Sequence, residues 1–232
     1  MLTRRAFTAS AVAFGLSACA KPPSAPTTRA ATKLPKAPPL PPFYGAITDE
    51  PYPIPAIVDG TLPPKHWRQT VPNPWPKEPS GTIIVDPDAG NLHVVQDRDI
   101  ALRYGVSVGA EGFAWAGVAR LQFCRDWPRW KVPAAMIARQ PELARFSVAN
   151  GGMDPGPDNP MGARALYLFQ DGVDTLYRIH GGAEARDIGR AVSSGCIRLL
   201  DQDVIDLHDR AIHGSKVIVL TSLAPQGLGT VF

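Results

Sequence analysis

The sequence predicts a mainly β domain with short helices, and three observations carry that expectation. Thr82–Asp86, Asn91–Gln96 and Ile100–Val108 are short β-rich runs, divided by Pro87-Asp88-Ala89-Gly90 and by Asp97-Arg98, which is the pattern of a meander. Arg164–Phe169 and Thr175–His180 flank Asp171-Gly172, a dipeptide suited to a tight hairpin turn. The helical readings are short: Pro133–Gln140, with its proline tolerated in the first turn, and Asp201–Ile212.

In chain order, residues 1–19 read as an export signal. Arg4 and Arg5 form a positive start, and Ala6 to Ala18 is an apolar run of 13 residues. A bilayer span needs about 20, so the run fits a secretory signal instead. Leu16-Ser17-Ala18-Cys19 looks like a lipobox, which would make Cys19 a lipidated N-terminus. Ordinary cleavage after Ala18-Cys19-Ala20 is the alternative. Thr3-Arg4-Arg5-Ala6-Phe7 also resembles a twin-arginine signal. Either export route places a bacterial protein outside the cytoplasm, and lipidation would make it a membrane-anchored periplasmic lipoprotein.

Of the 25 prolines, 17 lie between Lys21 and Ser80, a density that leaves room for few regular elements. Residues 20–42 are expected to be an extended tether. Residues 43–80 add Tyr44, Tyr52, Ile54, Ile57, Val58, Trp67 and Trp75, so they read as an irregular arm packed on the domain. Residues 81–224 form the expected catalytic domain, and 225–232 a tail.

Within the domain, Val118–Trp127 reads as a further strand and Ser147–Pro160 as a loop rich in Gly, Pro, Asn and Asp. The interval from Arg125 to Pro160 is long enough to hold an active-site lid. Alternation in Thr175–His180 puts Tyr177 and Ile179 on one face, Arg178 and His180 on the other. Val204, Ile205, His208, Ala211 and Ile212 share one face of the second helix, so His208 is expected against the core. Lys216–Thr221 is the closing strand.

The formal charge is +3; removing residues 1–19 takes two arginines from 24 basic residues and leaves 22 against 21 acidic, a net of +1. A near-neutral chain argues against nucleic acid as partner. Of the three cysteines, lipidation would claim Cys19 and leave Cys124 and Cys196. Cys124 reads as a half-buried strand residue; a disulfide between the two would silence any thiol chemistry.

Chemistry concentrates between Tyr177 and Leu199, where His180-Gly181 precedes Ser193-Ser194-Gly195-Cys196-Ile197-Arg198. A thiol of pKa about 8.5 is a weak nucleophile until a base takes its proton. His180 can be that base and hold Cys196 as half of an ion pair. Gly195 lets a substrate carbonyl approach the backbone, and N–H groups around Gly195 and Cys196 can stabilise an oxyanion. Residue types alone leave buried structural roles open, while one Cys and one His make a poor zinc site.

The same residues closely resemble the signature of L,D-transpeptidases with a YkuD-type catalytic domain: His-Gly, an interval, then Ser/Thr-x-Gly-Cys-Ile/Val-Arg. Asn159-Pro-Met-Gly162 and Leu176-Tyr-Arg-Ile-His180 extend the likeness, and Ser194 departs from it where many members carry a second His. The resemblance implies a β-sandwich-like catalytic domain acting on peptidoglycan stem peptides, with no metal or cofactor. Cys196 would attack the carbonyl of the third stem residue, expel D-alanine and pass the acyl group to an amine; water as acceptor would make a carboxypeptidase. His180 would be the base, its other nitrogen on a backbone carbonyl, since no Asp or Asn identifies itself as a third member. Gly181, Ser193 and Gly195 would support the motif. Arg198 would bind a substrate carboxylate or else pair with Asp201 or Asp203, and Tyr177 and Arg178 would border the groove or serve structure. Carbapenem-type inhibitors would acylate Cys196. An amidase or peptidase using the same pair, and a non-catalytic wall-binding lipoprotein, are the rival readings.

Overall fold

Strand-forming runs dominate the computed structural model, which describes residues 38–110, 115–193 and 195–223. Cys19, the export signal, most of the tether, Ser194 and the tail lie outside the described residues. The strands are β1 Gln69–Pro72, β2 Ile83–Asp86, β3 Asn91–Val95, β4 Ile100–Gly105, β5 Val108–Gly109, β6 Gly117–Asp126, β7 Arg164–Gln170, β8 Val173–His180, β9 Ala191–Ser193, β10 Ile197–Arg198 and β11 Lys216–Val219. The α-helices are α1 Ala134–Arg139 and α2 Asp201–Arg210. The fold is therefore mainly β with short helices.

Nine strands form one sheet in the order β1-β4-β3-β2-β11-β6-β7-β8-β10, and β5 pairs with β9 in a small second sheet. Neighbours in the large sheet are antiparallel except β2 with β11 and β8 with β10. The Ile-Ile-Val run of β2 is buried on both faces, as expected for a central strand with branched side chains. The main core gathers Ile83, Val85, Tyr104, Leu166, Ile179 and Ile197 with Val204 and Leu207 of α2.

The expected run Ile100–Val108 is broken in two. β4 stops at Gly105, where a Cβ would lie 2.6 Å from the His66 carbonyl oxygen, and the chain then leaves the large sheet to pair β5 with β9. The hairpin between β7 and β8 turns on Asp171 and Gly172, with φ of 51° and 80°, the left-handed pair that a type I′ turn requires.

The arm contributes a strand that its proline content concealed. β1 pairs with β4 at the edge of the sheet and ends on Pro72, where a missing N–H costs no ladder bond. Tyr44 and Leu62 pack with Ile188 and Leu200, while Ile54 packs with Trp127 and Ala163. Polar contacts tie the arm to α2 and β7. Tyr44 Oη donates to Asp203 at 3.2 Å, Arg68 Nε to Asp206 at 2.7 Å, and Arg164 holds Glu50 through both guanidinium ends.

α2 differs from its expected pattern at one end. It stops at Arg210, and Ile212 beyond it is 65% exposed. His208 faces Asp126, with Nε2 3.2 Å from Oδ1, instead of packing into the core. A half-buried imidazole gains more from a carboxylate than from an apolar wall.

Candidate active site

β10 is only two residues long, but its register sets the site. It runs parallel to β8 with Ile197 opposite Ile179 and Arg198 opposite His180. Ile179 and Ile197 both enter the core. By strand alternation, Arg198, Arg178 and His180 leave the other face, and Cys196 sits in the bend directly before β10. The Arg178 N–H points at the Cys196 sulfur.

His180 is 5% exposed, and its Nδ1 lies 2.8 Å from the Gly181 carbonyl oxygen. A carbonyl only accepts, so Nδ1 carries the hydrogen and Nε2 keeps its lone pair. Burial, with lesser contributions from Arg198 and Arg178, pushes His180 down to about 4, against the pull of the Gly181 and Met161 carbonyls. Cys196 is half-buried, and burial pushes its thiol up, although the Arg178 N–H and the charges of Arg178 and Arg198 oppose that push. Both shifts favour neutral groups. Burial therefore opposes the resting ion pair expected from the residue types.

Ser193 organises the turn before the cysteine. Its Oγ donates to the Cys196 carbonyl oxygen at 2.5 Å and accepts the Gly195 N–H at 3.3 Å. That second bond bears on the expected role of Gly195. Its N–H is engaged by Ser193, and the Cys196 N–H stands as the other donor expected for an oxyanion. Gly195 itself sits at φ 133°, a conformation that side chains rarely adopt.

The two arginines part company. Arg178 donates to Asp174 Oδ1 and Oδ2, each at 2.7 Å, and its guanidinium lies 4.3 Å from the Tyr167 ring centroid. These contacts favour the structural role among the two expected for Arg178, while its backbone N–H serves the cysteine. Arg198 pairs with neither Asp201 nor Asp203. Its nearest carboxylate is Asp187 at 3.8 Å, and its buried Nε has no hydrogen-bond partner. Such a guanidinium retains donors for a carboxylate. Tyr177 is half-buried and stacks on Trp115 with ring centroids 5.7 Å apart.

Cys124 lies on β6, and both described cysteines are free, so no Cys124–Cys196 disulfide forms. Asn159 is buried and shapes the turn before β7: its Nδ2 donates to the carbonyls of Pro128 and Asp154, and its Oδ1 accepts the Met161 N–H. The Met161 carbonyl faces the His180 ring. The residue that sequence reasoning missed is Asp201. Its Oδ1 accepts the Ala163 N–H at 2.8 Å and the Gly182 N–H at 3.1 Å, beside the histidine. Only its place four residues after the Cys-Ile sequence hinted at it.

A β-rich domain that presents an imidazole on one strand and a thiol directly before the neighbouring strand belongs to the class of cysteine-dependent catalytic domains. Residues 80–219 match the L,D-transpeptidase catalytic domain, YkuD, and the chain belongs to that family. "Putative L,D-transpeptidase YqjB" of Bacillus subtilis is 27% identical over 148 residues, covering 63% of this chain and 74% of that protein. "Probable L,D-transpeptidase ErfK/SrfK" of Salmonella typhimurium is 40% identical over 97 residues, covering 41% of this chain but 29% of that protein. A solved structure from Brucella melitensis, described as a probable carnitine operon oxidoreductase, is 42% identical. The match covers 69% of this chain and 97% of that one, with a TM-score of 0.47, and its description stays with that protein.

Proposed function

We propose that this chain is a peptidoglycan L,D-transpeptidase that works through a Cys196 thioester. The register that sets Arg198 opposite His180, with Cys196 in the bend directly before β10 and the Arg178 N–H on its sulfur, is the observation that carries the reading. Cys196 Sγ attacks the carbonyl carbon of the third stem residue while its proton passes to His180 Nε2. The new C–S bond forms, the C–N bond to D-alanine breaks, and the imidazolium returns the proton to the leaving amine. An acceptor amine then attacks the thioester, giving up its proton to His180, and the C–S bond breaks to restore the thiol. Because burial favours a neutral resting pair, proton transfer accompanies attack, as general base catalysis requires. The Cys196 N–H faces the developing oxyanion, and Arg198 receives a substrate carboxylate. A carbapenem, with a strained carbonyl beside a carboxylate, would acylate the same sulfur.

The Leu16–Cys19 sequence supports export and lipid anchoring outside the cytoplasm, and release of a Cys19→Ala protein from membranes tests it. The enzymatic reading is tested by incubating the purified protein with tetrapeptide muropeptides and weighing the products. Crosslinked dimers with loss of alanine are expected. Shortened stems alone would make it a hydrolase, and unchanged muropeptides would defeat the catalytic reading.

A further inference from the structure

The histidine's orienting group is the Gly181 backbone carbonyl, and Asp201 lies behind it. The Gly181 C=O and the Gly182 N–H belong to one peptide unit. The C=O side accepts from His180 Nδ1 at 2.8 Å, and the N–H side donates to Asp201 Oδ1 at 3.1 Å. The same oxygen takes the Ala163 N–H at 2.8 Å, two residues after the Met161 carbonyl that also faces the imidazole. One carboxylate oxygen therefore holds both backbone segments that orient the ring.

We propose that Asp201 is the third member of the catalytic set, a positioning residue that acts on His180 through the Gly181–Gly182 peptide. A carboxylate accepting the N–H makes the C=O of that peptide a stronger acceptor, because hydrogen-bonded units polarise one another in a low-dielectric setting. The chain Asp201, peptide, His180 then stabilises the imidazolium that forms as the cysteine attacks, which is the task a buried Asp performs directly in a serine protease triad. This inference rests on the transpeptidase reading for its kinetic consequence.

Two glycines make room for it. A Cβ on Gly181 would stand 2.1 Å from Asp201 Oδ1, and one on Gly162, at φ 65°, would stand 2.3 Å away. The glycine after the histidine thus has a use apart from the turn. It lets a carboxylate reach the backbone edge opposite the imidazole. Asp201 also occupies the first turn of α2, where the helix dipole favours a negative charge. Burial, helped by Glu50 of the arm, pushes the Asp201 carboxyl up, against the Ala163 and Gly182 N–H groups and Arg164 of β7, which favour the carboxylate; Arg178 and Arg198 face the histidine.

Asp201→Asn keeps an oxygen for the Ala163 and Gly182 N–H groups and removes the charge. Expected is a fall of about tenfold or more in the rate of Cys196 acylation by a carbapenem, a size typical of outer-shell orienting groups. The muropeptide KM should hold, and the His180 titration midpoint, read by NMR on labelled imidazole, should move down. Acylation within about twofold of the parent, with an unmoved midpoint, overturns the proposal. Should the variant fail to fold, the parent protein decides: the Gly182 amide proton and the His180 ring signals should shift together with pH, and independent titration overturns it. A parent that is never acylated sinks the transpeptidase reading alone, since the NMR measurement still reports on the Asp201–His180 coupling.

Discussion

Arg178 grips both oxygens of Asp174 at 2.7 Å, although the two residues are four positions apart on one strand. In a regular strand four steps cover about 13 Å. The distance closes because β8 bulges: Tyr167 pairs with Arg178, but Phe169 already pairs with Asp174. Leu176, 60% exposed at φ 63°, carries the bend, and its N–H is caught by Asp174 Oδ1 at 2.9 Å. The bulge re-aims the strand just before His180, and it brings the Arg178 N–H to the sulfur of Cys196.

Asp174 is therefore expected to influence a site it does not touch. Asp174→Ala should cost about 1 kcal/mol, since the pair is partly exposed and a bulge contact goes with it. It should also slow Cys196 acylation several-fold, roughly the loss of one backbone donor to the thiolate. Parallel denaturant melts and carbapenem acylation kinetics check both. A variant that loses stability but acylates at the parent rate would detach the bulge from the cysteine.

What was legible in the sequence divides along the same physical line. Short runs of branched apolar residues mark β2 and β3, and Asp171-Gly172 marks its hairpin, because these features depend on neighbours in the chain. β1 was hidden among prolines, and β10, two residues long, has no pattern to read. His180 and Cys196 announced themselves by spacing. The tie between Arg178 and Asp174 was not legible, because only the bulge brings two residues four positions apart within reach of each other. Asp201 was invisible because its two partners, Ala163 and Gly182, lie 38 and 19 positions away. Carboxylates that bond the backbone of distant loops leave no local signature.

His93 offers a test of how burial shapes the acid side of stability. It is 7% exposed on β3, its Nδ1 has no partner, and its ring meets Trp75 edge-on at 5.0 Å. Burial, helped by the Arg103 charge and opposed by Asp86, pushes it down to about 4. The unfolded chain binds a proton near 6.5, so the neutral buried ring favours folding above that pH. The contribution is lost as pH falls toward 4, at most about 3 kcal/mol. His66 and His180 act in the same direction, and the raised Asp201 and Asp203 act in the other. A difference measurement isolates His93. The stability of His93→Phe relative to the parent should rise as pH drops from 6.5 to 4, by urea unfolding at several pH values. A difference that stays constant across that window would contradict the assignment.

The two free thiols among the described residues should separate by electrostatics. Burial pushes both up, but Cys124 has Asp126 beside it, which raises it further. Cys196 has the Arg178 N–H and the charges of Arg178 and Arg198, all of which favour thiolate. A carbapenem adduct on the native protein should therefore map by peptide mass to Cys196, with Cys124 left as a thiol, and Cys196→Ala should abolish it. The pH profile carries the finer test. A preformed thiolate–imidazolium pair would give a rate already flat at neutral pH. A neutral pair, which both shifts favour, predicts that simple alkylation by iodoacetamide keeps rising well above pH 8, as the raised thiol ionises, with no titration step between 5 and 8 because burial pushes His180 down to about 4. His180→Ala should slow carbapenem acylation at pH 7 by about 100-fold, the lower range for a general base. The deficit should shrink as pH rises, because a thiol ionised by solvent no longer needs the imidazole. A His180→Ala deficit that stays constant to pH 10 would mean that the imidazole does more than accept the thiol proton, and an adduct on Cys124 would place the nucleophile on the wrong strand.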